Sequence, residues 1–378
     1  MADRILTTHV GSLPRPQDVA DMLFARVAGQ PVDEAAFEAA VARAVGEVVA
    51  QQKRAGVDIP SDGEMSKISY ATYISERLTG FSGDSPRRIP ADLLQVPRYM
   101  QRLAKGGGTP DYKRPCCTGD IRVRTMAPLE SDIAHFQAAL KASGYAHGFM
   151  NAAAPGVIAL FQPNQHYAND DDYLEALAAA MRVEFEAIVA AGLILQVDSP
   201  DLALGRQTMY ADSTEDQFVH RVAFHVEALN HALAGIAPDK VRVHLCWGNY
   251  EGPHTMDVPM ARLLPEVLRI NAGALSFEGA NPRHAHEWAV FKDIPLPEGK
   301  VIIPGILDSS TNYVEHPDLI AERIVRYADV VGRERVIAGS DCGFSTFAGF
   351  GVVDPDIVWM KLASLTEGAA RATKLLWT

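Results

Sequence analysis

Two kinds of segment alternate along the chain. Short runs rich in β-branched residues end in Gly, Pro, Asp or Ser, and longer Ala-, Leu- and Glu-rich stretches with helical periodicity separate them. The short runs predict eight main strands, at 8–12, 56–60, 149–153, 193–198, 241–246, 274–278, 301–305 and 335–339. The longer stretches predict helices that include 34–55, 171–191, 214–234, 258–271, 317–331 and 355–375. Strict alternation of strand and helix over eight units predicts an α/β fold, the (β/α)8 TIM barrel.

The count of eight units favours one catalytic domain over residues 1–378 rather than two smaller domains. A doubly wound sheet is the alternative, but no Gly-x-Gly-x-x-Gly follows any predicted strand, so the phosphate-binding turn of that fold is missing. Residues 82–130 fit the alternation poorly because Pro, Gly and Arg are frequent there. We interpret 82–130 as an insertion after the second βα unit, lying over one face of the barrel.

Composition and charge narrow the class of partner. The chain has 378 residues, of which 48% are hydrophobic, and its net charge is -12, without blocks of Lys or Arg. Such a chain has no electrostatic footprint for nucleic acid or for an anionic membrane. The first residues do not resemble a secretory signal, and no apolar run approaches the roughly 20 residues of a membrane span. We therefore expect a cytoplasmic protein with small-molecule partners, and the sequence leaves its oligomeric state open, a homo-oligomer included.

Four residues at predicted strand ends have the chemistry of zinc ligands. His244 and Cys246 are two apart on one strand and so point to the same side, Glu278 ends the next strand, and Cys342 follows the last one. The carboxyl ends of barrel strands carry the chemistry, and imidazole, carboxylate and thiolate all bind Zn²⁺ well. Two thiolates and a carboxylate would keep a zinc-bound substrate thiolate electron-rich. The alternative is that each Cys is a buried packing residue and that Glu278 pairs with Arg283.

Six segments in chain order resemble the catalytic domain of cobalamin-independent methionine synthase. They are TTHVGSLPRP (7–16), DGEM (62–65), QVDSPD (196–201), HLC (244–246), LSFE (275–278) and SDCG (340–343). The resemblance implies a TIM barrel that binds zinc through His244, Cys246, Glu278 and Cys342 and methylates a small thiol such as homocysteine. It also implies a pocket for the amino-acid part of that thiol, formed by Val10, Gly11, Ser12, Glu64 and Asp198.

In that pocket, Val10 to Ser12 would bind a carboxylate through backbone N–H groups and a hydroxyl, and Glu64 and Asp198 would bind an ammonium group. The alternative for the two acids is that they only cap helices at barrel loops.

The chain departs from this family at the leaving group. The methionine synthases have two barrels, and they place a His two residues after the Asp that ends strand seven, where it helps to protonate the leaving group. Here that position is Ser310. Expulsion of a poor leaving group still needs an acid, and the candidates are Asp308, His316 and His254.

Other readings stay open at this point. Segments 246–254 and 278–287 resemble a single-barrel branch that includes epoxyalkane:coenzyme M transferase, so the partners are a small thiol and an alkyl donor that is a methylfolate, a methylcorrinoid or an epoxide. A sulfonate thiol such as coenzyme M should prefer cations where Glu64 and Asp198 stand.

A metal-free lyase resembling uroporphyrinogen decarboxylase is a third hypothesis, and a non-catalytic zinc scaffold is a disfavoured fourth. We interpret His284 and His286 as a loop cluster rather than a second metal pair, and we assign no metal to Cys116 and Cys117.

Overall fold

The computed structural model describes residues 3–105, 114–349 and 351–378. Its strands are β1 (Leu6–Thr7), β2 (Phe81–Ser82), β3 (Cys116–Cys117), β4 (Phe149–Ala153), β5 (Ile194–Asp198), β6 (Val241–Leu245), β7 (Ala274–Phe277), β8 (Val301–Leu307) and β9 (Ile337–Ser340). Its α-helices are α1 (Gln17–Val27), α2 (Glu34–Ala55), α3 (Ala91–Leu94), α4 (Pro97–Lys105), α5 (Ala127–Ser143), α6 (Pro155–Phe161), α7 (Asp170–Ala190), α8 (Glu215–Ala232), α9 (Met260–Val267), α10 (Pro317–Val331) and α11 (Pro355–Leu376).

Seven parallel strands form one curled sheet in the order β1-β9-β8-β7-β6-β5-β4. The predicted strands at 149–153, 193–198, 241–246, 274–278, 301–305 and 335–339 are confirmed, each within two residues at either end. Their apolar side chains are buried on both faces, as expected for strands covered by helices. The fold is therefore the predicted TIM barrel.

The first two predicted strands need correction. The chain is paired with β9 at Leu6–Thr7 rather than at 8–12, and Gly11 has a φ of 140°, which takes the following residues out of extended geometry. No regular strand forms at 56–60, because Asp58 and Ile59 both donate to the carbonyl of Thr7 and Pro60 has no N–H to donate. This stretch still closes the barrel, since the carbonyl of Pro60 accepts the N–H of Phe149 in β4.

The helices surround the sheet as predicted. The predicted boundaries of the helix at 34–55 are confirmed by α2, which the carboxylate of Asp33 caps through the N–H groups of Ala35 and Ala36 and which ends at Gly56 with a φ of 83°. The helix predicted at 258–271 is shorter, Met260–Val267. Helix α11 packs against both α10 and α2, so the outer ring closes as well as the sheet. In the described parts of the chain, no helix combines the length and the apolar character of a membrane span.

The predicted insertion, 82–130, contains a short hairpin and two helices. β2 and β3 pair antiparallel, and α3 and α4 lie between them. Residues 106–113 lie outside the described part of the chain. The last four residues of the predicted range belong to α5, a helix that packs against α2 in the outer ring. The non-barrel part that the structure describes therefore runs from β2 to the start of α5.

Candidate active site

The carboxyl ends of β6, β7 and β9 bring the four predicted zinc ligands together. His244 lies in β6, Cys246 follows that strand, Glu278 follows β7 and Cys342 follows β9. Sγ of Cys342 is 3.7 Å from Nε2 of His244 and 3.9 Å from Oε1 of Glu278. The ligand atoms of His244, Cys246 and Cys342 all lie within 4.8 Å of one another, and all four side chains are buried.

These separations fit a tetrahedral zinc site. With Zn–S of about 2.3 Å and Zn–N or Zn–O of about 2.0–2.1 Å, a sulfur ligand lies roughly 3.5 Å from a nitrogen or oxygen ligand. The observed 3.7 and 3.9 Å are close to this value. One imidazole, two thiols and one carboxylate are also ligand types that zinc prefers. The residues therefore fit the ion in both chemistry and spacing.

Burial shifts the pKa of each ligand side chain. Burial, with Arg242 nearby, lowers the pKa of His244 to about 3, so its imidazole is neutral and has a lone pair to offer. The hydrogen bond with Cys246 and burial raise the pKa of the Cys342 thiol well above its usual range. For Cys246, the hydrogen bond with Cys342 lowers the pKa, but burial and Glu278 outweigh it and the net direction is up. A dication beside these groups reverses the balance and favours both thiolates.

Hydrogen bonds hold both the carboxylate of Glu278 and the backbone that follows it. Its Oε1 accepts the N–H of Trp247 at 2.8 Å, and its Oε2 accepts from the side-chain amide of Asn281 at 3.2 Å. The carboxylate of Asp341 accepts three successive N–H groups, those of Gly279, Ala280 and Asn281, at 2.8, 2.8 and 2.6 Å. The sequence reading missed Asp341, although its place directly before Cys342 was a signal for a supporting role.

A cavity of about 600 Å³ opens beside the ligand set. His244, Cys246 and Cys342 line it, and so do Glu64 and Asp198. A cavity of this size takes a drug-sized molecule or two smaller ones. The metal ligands and the two predicted ammonium-binding acids thus share one space, although they come from distant parts of the chain.

Burial disfavours the ionised forms of both acids, and the cations around them offset this only in part. Burial raises the pKa of Glu64 to about 7, with Lys67 opposing and Asp198 adding to the shift. Burial raises the pKa of Asp198 to about 6, against hydrogen bonds from Asn151 and Gln196. Lys67, whose Nζ donates to the carbonyl of Asn151 at 2.6 Å, acts on both acids, and Arg15 and Arg242 each act on one of them. Oε2 of Glu64 has no hydrogen-bond partner in the protein. Burial outweighs these cations at both acids, so a cationic group bound beside Glu64 and Asp198 would favour their ionised forms.

The segment 10–12 lies on the cavity wall, but its N–H groups are not equally available. Val10 and Ser12 line the cavity. The N–H of Val10 donates to Oγ of Ser340 at 3.2 Å, and the N–H of Gly11 donates to Nδ1 of His9 at 3.1 Å. Ser12 packs so closely against Gly343 that a Cβ there would lie 1.9 Å from Oγ of Ser12. Val10 and Gly11 thus use their N–H groups within the protein, which leaves Ser12 as the predicted carboxylate donor that lines the cavity together with His244 and Cys342.

None of the three candidate acids is among the described residues that line the cavity. The carboxylate of Asp308 accepts from the N–H and hydroxyl of Ser310 and from the hydroxyl of Thr311, so it stabilises the turn that begins at Asp308. His316 is the N-cap of α10 and its side chain is 70% exposed. His254 is buried, with one ring nitrogen on Asp257 and the other on a backbone carbonyl. The geometry gives none of them a path to a leaving group in this cavity.

The lining of the cavity also includes aromatic and basic residues. Tyr70, Phe161 and Phe347 are in mutual contact, with ring centroids 5.6 to 6.5 Å apart. The guanidinium of Arg114 lies 5.9 Å from the centroid of Phe347. The segment between β2 and α5 contributes a further set of lining residues: Ser85, Pro86, Arg87, Arg88, Ile89, Pro90, Leu93, Met100, Leu103 and Arg114. The sequence reading gave this segment no role in the site.

The other predicted pairs are placed as follows. His284 is buried and His286 is exposed, so the two do not face a common ion. His284 instead lies with His254 and Asp257 in a second group whose ligand atoms are within 4.8 Å of one another. Cys116 and Cys117 form β3 and are buried free thiols, outside both groups.

The chain is similar to known proteins along most of its length. A family model described as the catalytic domain of cobalamin-independent synthase matches residues 5–93 and 108–354. A methionine synthase from Saccharolobus solfataricus is 27% identical over 366 residues, which cover 96% of this chain and 93% of the relative. One from Sulfurisphaera tokodaii is 25% identical over 364 residues, covering 96% and 90%. The solved structure of a B12-independent methionine synthase from Shewanella sp. W3-18-1, in complex with selenomethionine, superposes with a TM-score of 0.76 at 18% identity over 99% of both chains, so the two share a fold.

Proposed function

Because the chain belongs to the family of cobalamin-independent methionine synthase catalytic domains, we propose that it is a zinc-dependent methyltransferase that methylates the sulfur of homocysteine or a similar small thiol. The observation that carries the proposal is the shared cavity. It joins a buried His–Cys–Cys cluster, with Glu278 beside it, to a pair of buried acids suited to an amino-acid substrate. The donor is a methylfolate, a methylcorrinoid or another activated alkyl compound.

In the proposed site, His244, Cys246, Glu278 and Cys342 hold Zn²⁺. When bound, the ion would lower the pKa of a substrate thiol while the two anionic sulfur ligands keep that thiol nucleophilic. Asp341 holds the loop that carries Glu278 in place through three N–H groups. The protein thereby fixes the ligand geometry before substrate arrives, which limits reorganisation during the reaction.

The remaining groups orient the thiol substrate. Glu64 and Asp198 bind its ammonium group, and Ser12 donates to its carboxylate. Both ends of the amino acid would then be held, so its sulfur points at the ligand cluster in the same cavity. Positioning of this kind supplies a large share of the rate in a transfer between two bound molecules. The aromatic and basic part of the cavity is left for the donor.

The two acids argue against the epoxide and coenzyme M reading. A sulfonate thiol carries no ammonium group and would place an anion against Glu64 and Asp198. Like charges at close range in a buried site are unfavourable. The converging ligand cluster likewise favours a metal-dependent transferase over a metal-free lyase on the same barrel.

The test begins with metal content. The native protein should contain one zinc per chain by elemental analysis, and Cys246→Ser and Cys342→Ser should each lose most of it while keeping the far-UV circular dichroism of the barrel. Cys117→Ser is the matched control, because this buried thiol lies in β3, outside the ligand cluster. Full zinc retention in both ligand variants would contradict the site.

A thiol panel then tests the reaction. We expect mass spectrometry to detect methylated homocysteine as the product, and no alkylated coenzyme M, when the native enzyme meets methyl and epoxide donors. Alkylation of coenzyme M in preference to homocysteine would replace the proposal with the epoxide:thiol transferase reading.

A further inference from the structure

Two buried histidines behind the ligand cluster have acceptors at every ring nitrogen. In His284, Nδ1 lies 2.8 Å from Oε2 of Glu287 and Nε2 lies 2.9 Å from Oδ2 of Asp257. In His254, Nδ1 lies 2.8 Å from the same Oδ2 of Asp257 and Nε2 lies 3.1 Å from the carbonyl of Tyr250. Both rings are almost fully buried, so water does not supply alternative partners.

A neutral imidazole has one donor and one acceptor nitrogen. With acceptor oxygens at both nitrogens, a neutral ring would hold a lone pair against an oxygen lone pair. Two neutral rings would be satisfied only if both Asp257 and Glu287 were protonated, but although burial opposes it, the hydrogen bonds from His254 and His284 keep the pKa of Asp257 below its usual range. The arrangement is satisfied when both rings are imidazolium and both acids are carboxylate. In agreement, Asp257 and Glu287 outweigh burial and raise the pKa of His284 to about 10, and Asp257 raises the pKa of His254.

The same contacts tie together the two loops that carry metal ligands. His254 and Asp257 belong to the loop after Cys246, whereas His284 and Glu287 belong to the loop after Glu278. Trp247 lies between the loops, because its indole stacks on His284 with ring centroids 4.0 Å apart and its backbone N–H donates to Oε1 of Glu278.

The charge of the two rings also reaches the ligand cluster. His284 stacks on Trp247, whose backbone N–H donates to Oε1 of Glu278, and His254 shares Asp257 with His284. Two imidazolium rings in this position place positive charge behind the carboxylate of Glu278.

We infer that His254 and His284, both imidazolium and bridged by Asp257, are positioning residues of the metal centre. They hold the loops of Cys246 and Glu278 in register and place buried positive charge beside an anionic ligand set. This inference rests on the zinc site of the proposed function. It gives His254 a role other than that of the leaving-group acid.

The protonation state is tested by NMR of protein labelled with ¹⁵N at histidine. At pH 8, the rings of His254 and His284 should each show two attached protons, and the two signals are assigned with His254→Gln and His284→Gln. A neutral ring at either position would overturn the inference.

The link to the metal is tested by zinc affinity, measured by competition with a chromophoric chelator. His284→Gln should bind zinc about 10–100-fold more weakly, the usual effect of losing a group that supports metal ligands. His225→Gln is the matched control, because His225 is equally buried and bonded to Asp201 at 2.8 Å but belongs to neither loop. Its zinc affinity should equal that of the native protein, whatever it does to the melting temperature.

A double-mutant cycle separates charge from mere packing. In a Glu278→Gln background, His284→Gln should cost clearly less zinc affinity than in the native background, because the carboxylate that the imidazolium favours is gone. Equal costs would overturn the charge part of the inference.

Unchanged zinc affinity in His284→Gln, together with tight zinc binding by the native protein, would overturn this inference alone. A native protein that binds no zinc would contradict the proposed function itself. Two metal ions per native chain, one of them lost in His254→Gln, would also overturn it, since a dication would then hold the cluster.

Discussion

The affinity for the amino-acid part of the substrate should fall steeply below neutral pH. Glu64 and Asp198 bind an ammonium group only when ionised, and burial raises their pKa values to about 7 and about 6. As pH falls through these values, protons compete with the ligand. The sign is therefore fixed, with tight binding above pH 7 and weaker binding below it.

The size of the effect follows from the two pKa values. At pH 6, protonation weakens binding about 11-fold through Glu64 and about twofold through Asp198, while at pH 8 both effects nearly vanish. If both must be ionised, the dissociation constant should rise about 20-fold between pH 8 and pH 6, which is about 1.8 kcal/mol.

Calorimetric titration of the zinc-loaded enzyme with methionine measures this directly. Methionine keeps the ammonium and carboxylate groups but has no thiol to titrate, so the metal-bound thiol does not enter the result. The thioether acid that lacks the amino group is the matched ligand and should bind without the loss at low pH. Glu64→Gln should bind methionine weakly and reduce its pH dependence to about twofold over the same range. A methionine affinity that changes less than threefold between pH 6 and pH 8 in the native enzyme would refute the assignment of the two acids.

Three further outcomes are expected. With Ser310 in place of a leaving-group histidine, methyltetrahydrofolate should turn over more slowly than about 1 s⁻¹, and methylcobalamin should be the better donor at equal concentration; the reverse order in a steady-state assay would show that another acid serves. Asp341→Asn should weaken zinc binding about 10–100-fold by chelator competition, and native affinity would show that its three N–H contacts do not support Glu278. Gly11→Ala should lower the free energy of unfolding by about 2 kcal/mol or more, because its Cβ would lie 2.3 Å from the side chain of Asn151. Gly46→Ala, which has open space around it in α2, should instead raise the free energy of unfolding by about 0.5–1 kcal/mol. Equal effects of the two substitutions in thermal denaturation would contradict the argument from close packing.

The features that local signals encode could be predicted from the sequence. Helix α2 has the ends that its periodicity predicted, and the residues that set these ends in the structure, Asp33 and Gly56, are adjacent to it in the chain. The barrel strands from β4 onward were predicted because each is a buried apolar run. The ligand set could be named because His244 and Cys246 share one strand and the other two residues follow strand ends, although the spacing between strands came only from the structure.

The failures also have physical reasons. Residues 56–60 have the composition of a strand, but Pro60 cannot donate in a ladder and the carbonyl of Thr7 accepts two neighbouring N–H groups. The candidate acids were chosen by proximity along the chain, which does not indicate which hydrogen bonds a side chain makes or whether it reaches the cavity. Asp308 stabilises its own turn and His316 caps α10. In both residues, atoms that would have to act in proton transfer already make local hydrogen bonds.

The division of the cavity has a consequence for how its chemistry could change over evolutionary time. Three of the predicted zinc ligands that line it lie at or just after the ends of barrel strands, whereas ten other lining residues come from the segment between β2 and α5. The family model has no match for residues 94–107, and Met100 and Leu103 in that stretch line the cavity. Under the proposed function, substitution there would reshape the space for the incoming alkyl group without touching a zinc ligand or an ammonium-binding acid. Selection of the donor would then be separable from selection of the thiol, so a new donor could be acquired by exchanging one segment while the thiol chemistry is inherited unchanged.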